Sequence, residues 1–144
     1  MDVPFERLDP EAELPSVQHP GDAGLDLRST IDVEVKPGER AMVPTGVAVA
    51  IPQGHAGLVL PRSGLASREG LTLANAPGLI DAGYRGELTC AVVNLDPAEP
   101  VRIARGDRMA QLVIVELPEV KPTWAQRLPD STRGTGGFGS TGTS

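Results

Sequence analysis

The sequence runs to 144 residues, enough to bury one core without splitting into two domains. With 40% hydrophobic and 22% charged residues it is a foldable chain, and a net charge of −6 without any lysine or arginine block argues against a duplex nucleic-acid binder. No stretch approaches the ~18 apolar residues of a membrane helix and the opening MDVPFERLDP has no apolar signal core, so a cytoplasmic location without membrane partners is expected.

Glycine (17) and proline (14) break helices throughout the chain, and short strands between turns recur instead. In chain order, Asp22–Leu27 (DAGLDL) places Asp26 between two leucines, as a turn cap or as a metal-facing carboxylate. Ile31–Val35 alternates like a half-buried strand, and Pro37-Gly38 marks the next turn. Ala41–Ile51 and Ala56–Leu60 follow, separated by the turn Pro52-Gln53-Gly54.

The stretch Leu58–Leu73 (LVLPRSGLASREGLTL) predicts a strand ending at Pro61 and a helix of at most two turns over Gly64–Gly70, with Ser63 as its cap. Arg62, Ser63 and Gly64 read equally as an anion site or as an ordinary turn with a surface arginine. Asn75–Glu87 (NAPGLIDAGYRGE) predicts a glycine-rich hairpin that carries an amide, Asn75, a carboxylate, Asp81, and the only tyrosine, Tyr84. Such a hairpin can pair with a pyrimidine edge, lay the tyrosine against a sugar, and offer Asp81 as a general base. A plain β-turn with an aspartate is the competing reading, although a scarce aromatic spent on a turn favours function.

Strands are further expected over Glu87–Val93, Val101–Ile103 and Arg108–Leu117, the last containing Gln111. Many short strands with regular turns define a β-sandwich, jelly roll or barrel. The final run Arg133–Ser144 (RGTGGFGSTGTS) holds one large apolar residue, Phe138, so burial cannot offset the roughly 1–2 kcal/mol per residue that ordering costs. It is either a disordered tail or an arm that closes over a ligand. One cysteine, Cys90, excludes a disulfide framework and a cysteine-rich zinc site. His19 and His55 have no ligand-spaced neighbours, and neither a zinc-deaminase signature nor a Walker A lysine motif occurs.

Singly these signals are weak, but their order is specific. Ala23–Leu27 (AGLDL), Pro61–Ala66 (PRSGLA), Asn75–Glu87, Gly106–Gln111 (GDRMAQ) and Arg133–Gly142 (RGTGGFGSTG) together resemble the homotrimeric dUTPases over nearly the whole chain. The resemblance implies an all-β, jelly-roll-like fold over residues 1–132, an arm over 133–144, and a homotrimer whose active sites are shared among subunits. It further implies hydrolysis of dUTP to dUMP and pyrophosphate with Mg2+.

By position, Asp81 corresponds to the general base, and Asn75 with the hairpin backbone to the uracil reader. Tyr84 corresponds to the residue that packs on deoxyribose, and Leu79, Ile80 and Thr89 fall in the same pocket. Arg62, Ser63, Gly64 and Gln111 correspond to phosphate ligands, while Arg133, Ser140 and Thr141 belong to the arm, with Phe138 stacked on the base. Asp26 is expected to touch magnesium through water. The segment Val120–Thr132, with Trp124, looks longer than in many relatives and is expected as an exposed loop.

Three alternatives share this pattern in part. A dCTP deaminase of the same fold would need a glutamate where this sequence has Ala91, in Thr89-Cys90-Ala91. A non-catalytic nucleotide-sensing trimer would be marked by loss of the base or the arm, yet Asp81, Arg133 and Phe138 are present. A purely structural jelly-roll trimer would leave the five ordered blocks without a reason.

Overall fold

The structure, a computed structural model, describes residues 1–143; Ser144, the last residue of the expected arm, lies outside the described residues. Short extended segments dominate because β-branched and small aliphatic residues alternate with polar ones between glycine and proline turns. Ten strands and one helix follow in order: β1 (Phe5–Arg7), β2 (Leu25–Arg28), β3 (Val33–Val35), β4 (Arg40–Val49), β5 (His55–Pro61), α1 (Ser63–Glu69), β6 (Leu71–Leu73), β7 (Gly78–Ile80), β8 (Glu87–Asn94), β9 (Val101–Ile103) and β10 (Arg108–Glu116). Among the described residues no helix is long and apolar enough to cross a membrane.

The strands form two four-stranded sheets, ordered β1-β4-β8-β6 and β2-β10-β5-β7, and a two-stranded ribbon of β3 and β9. Every pairing is antiparallel. Alternation assigns the faces: along β8, Leu88, Cys90 and Val92 point inward, and their neighbours Thr89, Ala91 and Val93 are more exposed. Leu27, Val59, Ala110 and Leu112 from one sheet and Val43, Val47, Cys90 and Val92 from the other join Val35, Val101 and Ile103 of the ribbon in one core. That shared core is what makes the layers a sandwich, as the all-β expectation required. Truncating a fully enclosed residue such as Leu112 to alanine removes about 2–5 kcal/mol.

Buried polar groups fasten the layers. The Asn94 amide donates to the carbonyls of Val35 (2.9 Å) and Glu99 (2.8 Å), and its Oδ1 accepts the Asp96 amide hydrogen at 2.8 Å. Where the β4–β8 register slips between Pro44 and Ala48, the Thr45 hydroxyl donates to the Leu88 carbonyl at 2.6 Å. Gly46 occupies that slip with φ +70°, and an added Cβ would fall within 2.9 Å of Asp9, Thr30 and Ala12, which pack over it. Arg105 clips the same N-terminal segment by pairing with Asp9 (3.3 Å) and Glu11 (2.9 Å). Its hydrogen bond to Asp9, with the Glu11 amide's, holds that exposed carboxyl below the ordinary range.

The helix departs from expectation at its start. It begins at Ser63, so Arg62 is the N-cap residue, in extended geometry and without a side-chain capping bond. Ser63 therefore cannot cap: it is already the first helical residue, and its hydroxyl is left exposed. Gly70 takes φ 72° and ends the helix instead of belonging to it. No residue of α1 is buried.

Candidate functional site: a polar cleft and a detached turn

The sheet β2-β10-β5-β7 positions the chemistry. Asp26 on β2 stands opposite Gln111 on β10, which in turn stands opposite Leu60 on β5. This register brings the AGLDL, PRSGLA and GDRMAQ blocks to one end of the sheet, where a cleft of about 650 Å³ opens. Asp26, Arg62, Ser63, Gly64 and Gln111 all line it, as the sequence anticipated.

Asp26 is only 7% exposed. Arg62 Nε lies 3.4 Å from its Oδ1 and Arg108 Nη1 lies 3.6 Å from its Oδ2. These are long ion pairs, and Oδ2 has no hydrogen-bond partner among the described residues. Gln111 is held by its own Nε2, which donates to the Pro61 carbonyl at 3.0 Å. Gly24 is required beside it, because a Cβ there would run into Gln111 Oε1. Three arginines (Arg62, Arg68 and Arg108) face two aspartates (Asp22 and Asp26) in the cleft, so the wall is locally cationic in a chain of net charge −6.

The cleft also exposes what sequence reading missed. His19 and Asp22 line it from a turn in which the His19 amide donates to Asp22 Oδ2 at 3.0 Å. Arg108 lies inside the GDRMAQ block without a role of its own there, and Arg68 lies six residues beyond Arg62, in a helix too short for a periodic pattern to single it out.

The second group lies elsewhere. Beyond β7 the chain turns through Asp81 to Gly86, with the Tyr84 amide donating to the Asp81 carbonyl at 3.1 Å. The Tyr84 hydroxyl donates to the Glu87 carbonyl at 3.0 Å, and Arg85 Nη1 donates to the carbonyls of Ala82 (2.7 Å) and Tyr84 (2.9 Å). Asp81 and Tyr84 are thus presented to solvent on a tied turn, Leu79 on β7 and Asn75 before it are also exposed, and Ile80 packs against the core. Thr89 lies on the outward face of β8, paired with Pro44.

These two groups do not meet within one chain. Ile80 pairs with Gly57 at the start of β5, while Asp26 lies level with Leu60 near its end, and β2 and β7 are opposite edges of the sheet. Three strand spacings and about four residues of rise separate Asp81 from Asp26 by roughly 19 Å. The third group, Arg133, Phe138, Ser140 and Thr141, is exposed, and its hydrogen bonds are local ones such as Arg133 Nε to the Gly136 carbonyl at 2.7 Å.

Among the described residues no cluster of three or more His, Cys, Asp or Glu side chains makes a protein metal cage. A single enclosed carboxylate with an unpartnered oxygen, beside cationic groups that would hold phosphates, does fit Mg2+, which keeps several waters and takes substrate oxygens.

A β-sandwich with a cationic cleft, an enclosed carboxylate with one unbonded oxygen and an exposed aromatic turn has the chemistry to bind a phosphorylated small molecule. The family is named by comparison: the chain belongs to the dUTPase family, whose model matches residues 10–142. The deoxyuridine 5'-triphosphate nucleotidohydrolase of Streptomyces avermitilis is 58% identical over 142 residues, covering 99% of this chain and 81% of that protein. A Staphylococcus bacteriophage 80alpha dUTPase variant, solved with dUpNHpp, superposes with TM-score 0.89 at 32% identity over 99% of both chains. A dUTPase variant from phage phi11 of Staphylococcus aureus, solved to describe coordination of a structural Mg(II) ion, gives TM-score 0.81 at 30% identity over 88% of this chain and 98% of that one.

Proposed function

We infer that this chain, an enzyme of the dUTPase family, hydrolyses dUTP to dUMP and pyrophosphate, and does so in a homotrimer whose sites are shared among subunits. The carrying observation is the geometry of the β2-β10-β5-β7 sheet, which gathers the phosphate-side residues at one end and presents Asp81 and Tyr84 towards the other. A base roughly 19 Å from Asp26 is far beyond hydrogen-bond reach of the phosphate-side carboxylate, which supports delivery of the turn by a second copy. The long reach of the exposed arm supports a third contribution.

In this reading the triphosphate lies against Arg62, Ser63, Gly64 and Gln111, whose donors neutralise charge as it builds on the phosphoryl oxygens. Asn75 and the hairpin backbone read uracil, Tyr84 packs on the sugar, and Leu79 and Ile80 complete the pocket wall, with Thr89 at its margin. Asp81 takes a proton from a water as that water's oxygen bonds to the α-phosphorus. The bond from the α-phosphorus to the bridging oxygen breaks, and pyrophosphate departs with the electron pair. Asp26 would orient waters around a Mg2+ ion bound with the triphosphate, and the ion would supply charge neutralisation. Arg133, Ser140 and Thr141 close the phosphate end while Phe138 stacks on the base, excluding bulk water. Such an activity keeps uracil out of DNA and supplies dUMP for thymidylate synthesis.

The test is pyrophosphate release from dUTP, dCTP, UTP and dTTP with Mg2+, with ammonia followed in parallel. Release from dUTP alone is expected. Ammonia from dCTP would replace the proposal with a deaminase, and silence from a folded protein would replace it with a nucleotide sensor.

A further inference from the structure

The cleft contains more positive charge than the phosphate-side residues named so far account for. Arg62 and Arg108 are both engaged with Asp26. Arg68, on the last turn of α1, also lines the cleft, yet among the described residues it has no ion-pair partner. Its guanidinium folds back over the start of the helix: a Cβ placed on Gly64 would meet Arg68 Nη2 at 3.0 Å and its Cζ at 3.5 Å. The arginine therefore stands beside the Arg62-Ser63-Gly64 run. The same cleft is lined by His19 and Gln18, a ring and an amide that can both donate hydrogen bonds.

Resting on the reading above, we propose that Arg68, in the cleft that His19 also lines, forms a subsite for the terminal phosphate of the nucleotide, and so makes the chain select triphosphates over shorter nucleotides. The chemistry is specific to that group. A terminal phosphate carries close to two negative charges near neutral pH, while inner phosphates carry one each. Of the cleft's arginines, Arg68 is the one whose charge is not already offset by Asp26, and a planar guanidinium can grip two phosphate oxygens at once. Gly64 leaves room for this posture, since a side chain there would push the guanidinium away. Leu65 holds α1 against the core while the Arg68 side chain is exposed, so the guanidinium can turn to a ligand without disturbing the core.

The experiment compares binding of two probes to the full-length assembled protein by calorimetry: the non-hydrolysable α,β-imido analogue of dUTP, and dUMP. In Arg68→Ala, Kd for the imido analogue is expected to rise about tenfold, while Kd for dUMP stays within about twofold. Arg68→Lys should recover part of the loss, and Arg68→Glu should deepen it. Circular dichroism and oligomeric state, unchanged across the series, separate these effects from misfolding. Equal weakening of both probes, or no weakening of either, would overturn the subsite. A wild-type protein that binds neither probe would instead overturn the proposed function, so the two failures are distinguishable.

Discussion

Tyr84 and Glu87 lock the exposed turn to the body of the sandwich. The phenolic hydroxyl donates to the Glu87 carbonyl at 3.0 Å, and the Glu87 carboxylate accepts the Gly46 amide hydrogen at 2.8 Å. The ring's orientation is thereby fixed before any ligand arrives. Tyr84→Phe keeps the ring and loses the hydroxyl bond, which should cost about 1 kcal/mol or less of stability and leave sugar selection largely intact. Tyr84→Ala should raise kcat/KM for UTP relative to dUTP by about tenfold or more. Steady-state kinetics on both nucleotides check this, and unchanged discrimination in the alanine variant would place sugar reading elsewhere.

Asp81 makes no side-chain hydrogen bond among the described residues and is open to a partner or to water. Asp81→Asn should retain nucleotide affinity and lose a factor of roughly 100 to 10,000 in kcat. Binding of the imido analogue by calorimetry, measured beside turnover, separates the two. Normal turnover would remove Asp81 as the base.

Because Asp81 lies near the start of β5 and Arg62 directly follows its end, two crippled chains should repair each other. Refolding Asp81→Asn and Arg62→Ala chains together in equal amounts should restore about a quarter of wild-type activity, the fraction of sites that draw each intact residue from a different copy. Absence of recovery, in mixed assemblies proven by mass spectrometry, would mean that sites are not shared.

Gly24 gives the cleft its most confined contact. Gly24→Ala should displace Gln111, break its bond to the Pro61 carbonyl, and raise Kd for the triphosphate about tenfold with only about 1 kcal/mol lost from stability. Retained affinity would show that Gln111 has no part in binding.

Cys90 lies 2% exposed, opposite Val43, and burial pushes its thiol up to about 12 from 9.0. The folded state thus holds its proton more tightly than the unfolded chain. The stability this contributes is complete below pH 9.0 and is lost as pH rises from there towards about 12. Iodoacetamide at pH 8 should accordingly label Cys90 only at the rate of unfolding, and rapid labelling of the native protein would refute the enclosure.

Much of the architecture was legible because its longer strands carry several repeats of a two-residue period. Val101–Ile103 was placed at its observed limits, and Glu87–Asn94 and Arg108–Glu116 within one residue at one end. The short strands β1, β6 and β7 escaped, whereas β9, equally short, is set off by Pro100 before it and the Arg105-Gly106-Asp107 turn after it. Asn94 escaped for another reason: nothing local marks an asparagine as the buried pin of β8 to the ribbon. In the site, the ordered blocks led to Asp26, Arg62 and Gln111 in one cleft. That Asp81 lies far from Asp26 within one chain is not written in any one segment, although the resemblance implied sites shared among subunits. Arg68 and His19 belong to no periodic pattern, and only their lining of the same cleft distinguishes them.

The exposed run 117–132 has a consequence for how the arm finds its target. It contains neither strand nor helix, and Trp124 within it is fully exposed. A flexible chain of that length spans roughly 25 Å, comparable to the distance across the sheet. In the proposed reading the arm is a ligand on a leash, present at a site at an effective concentration on the millimolar scale however dilute the protein becomes. Even weak stacking by Phe138 can populate a closed site under that condition. Lengthening the leash should loosen closure only gradually, whereas shortening it below the span should abolish closure at once.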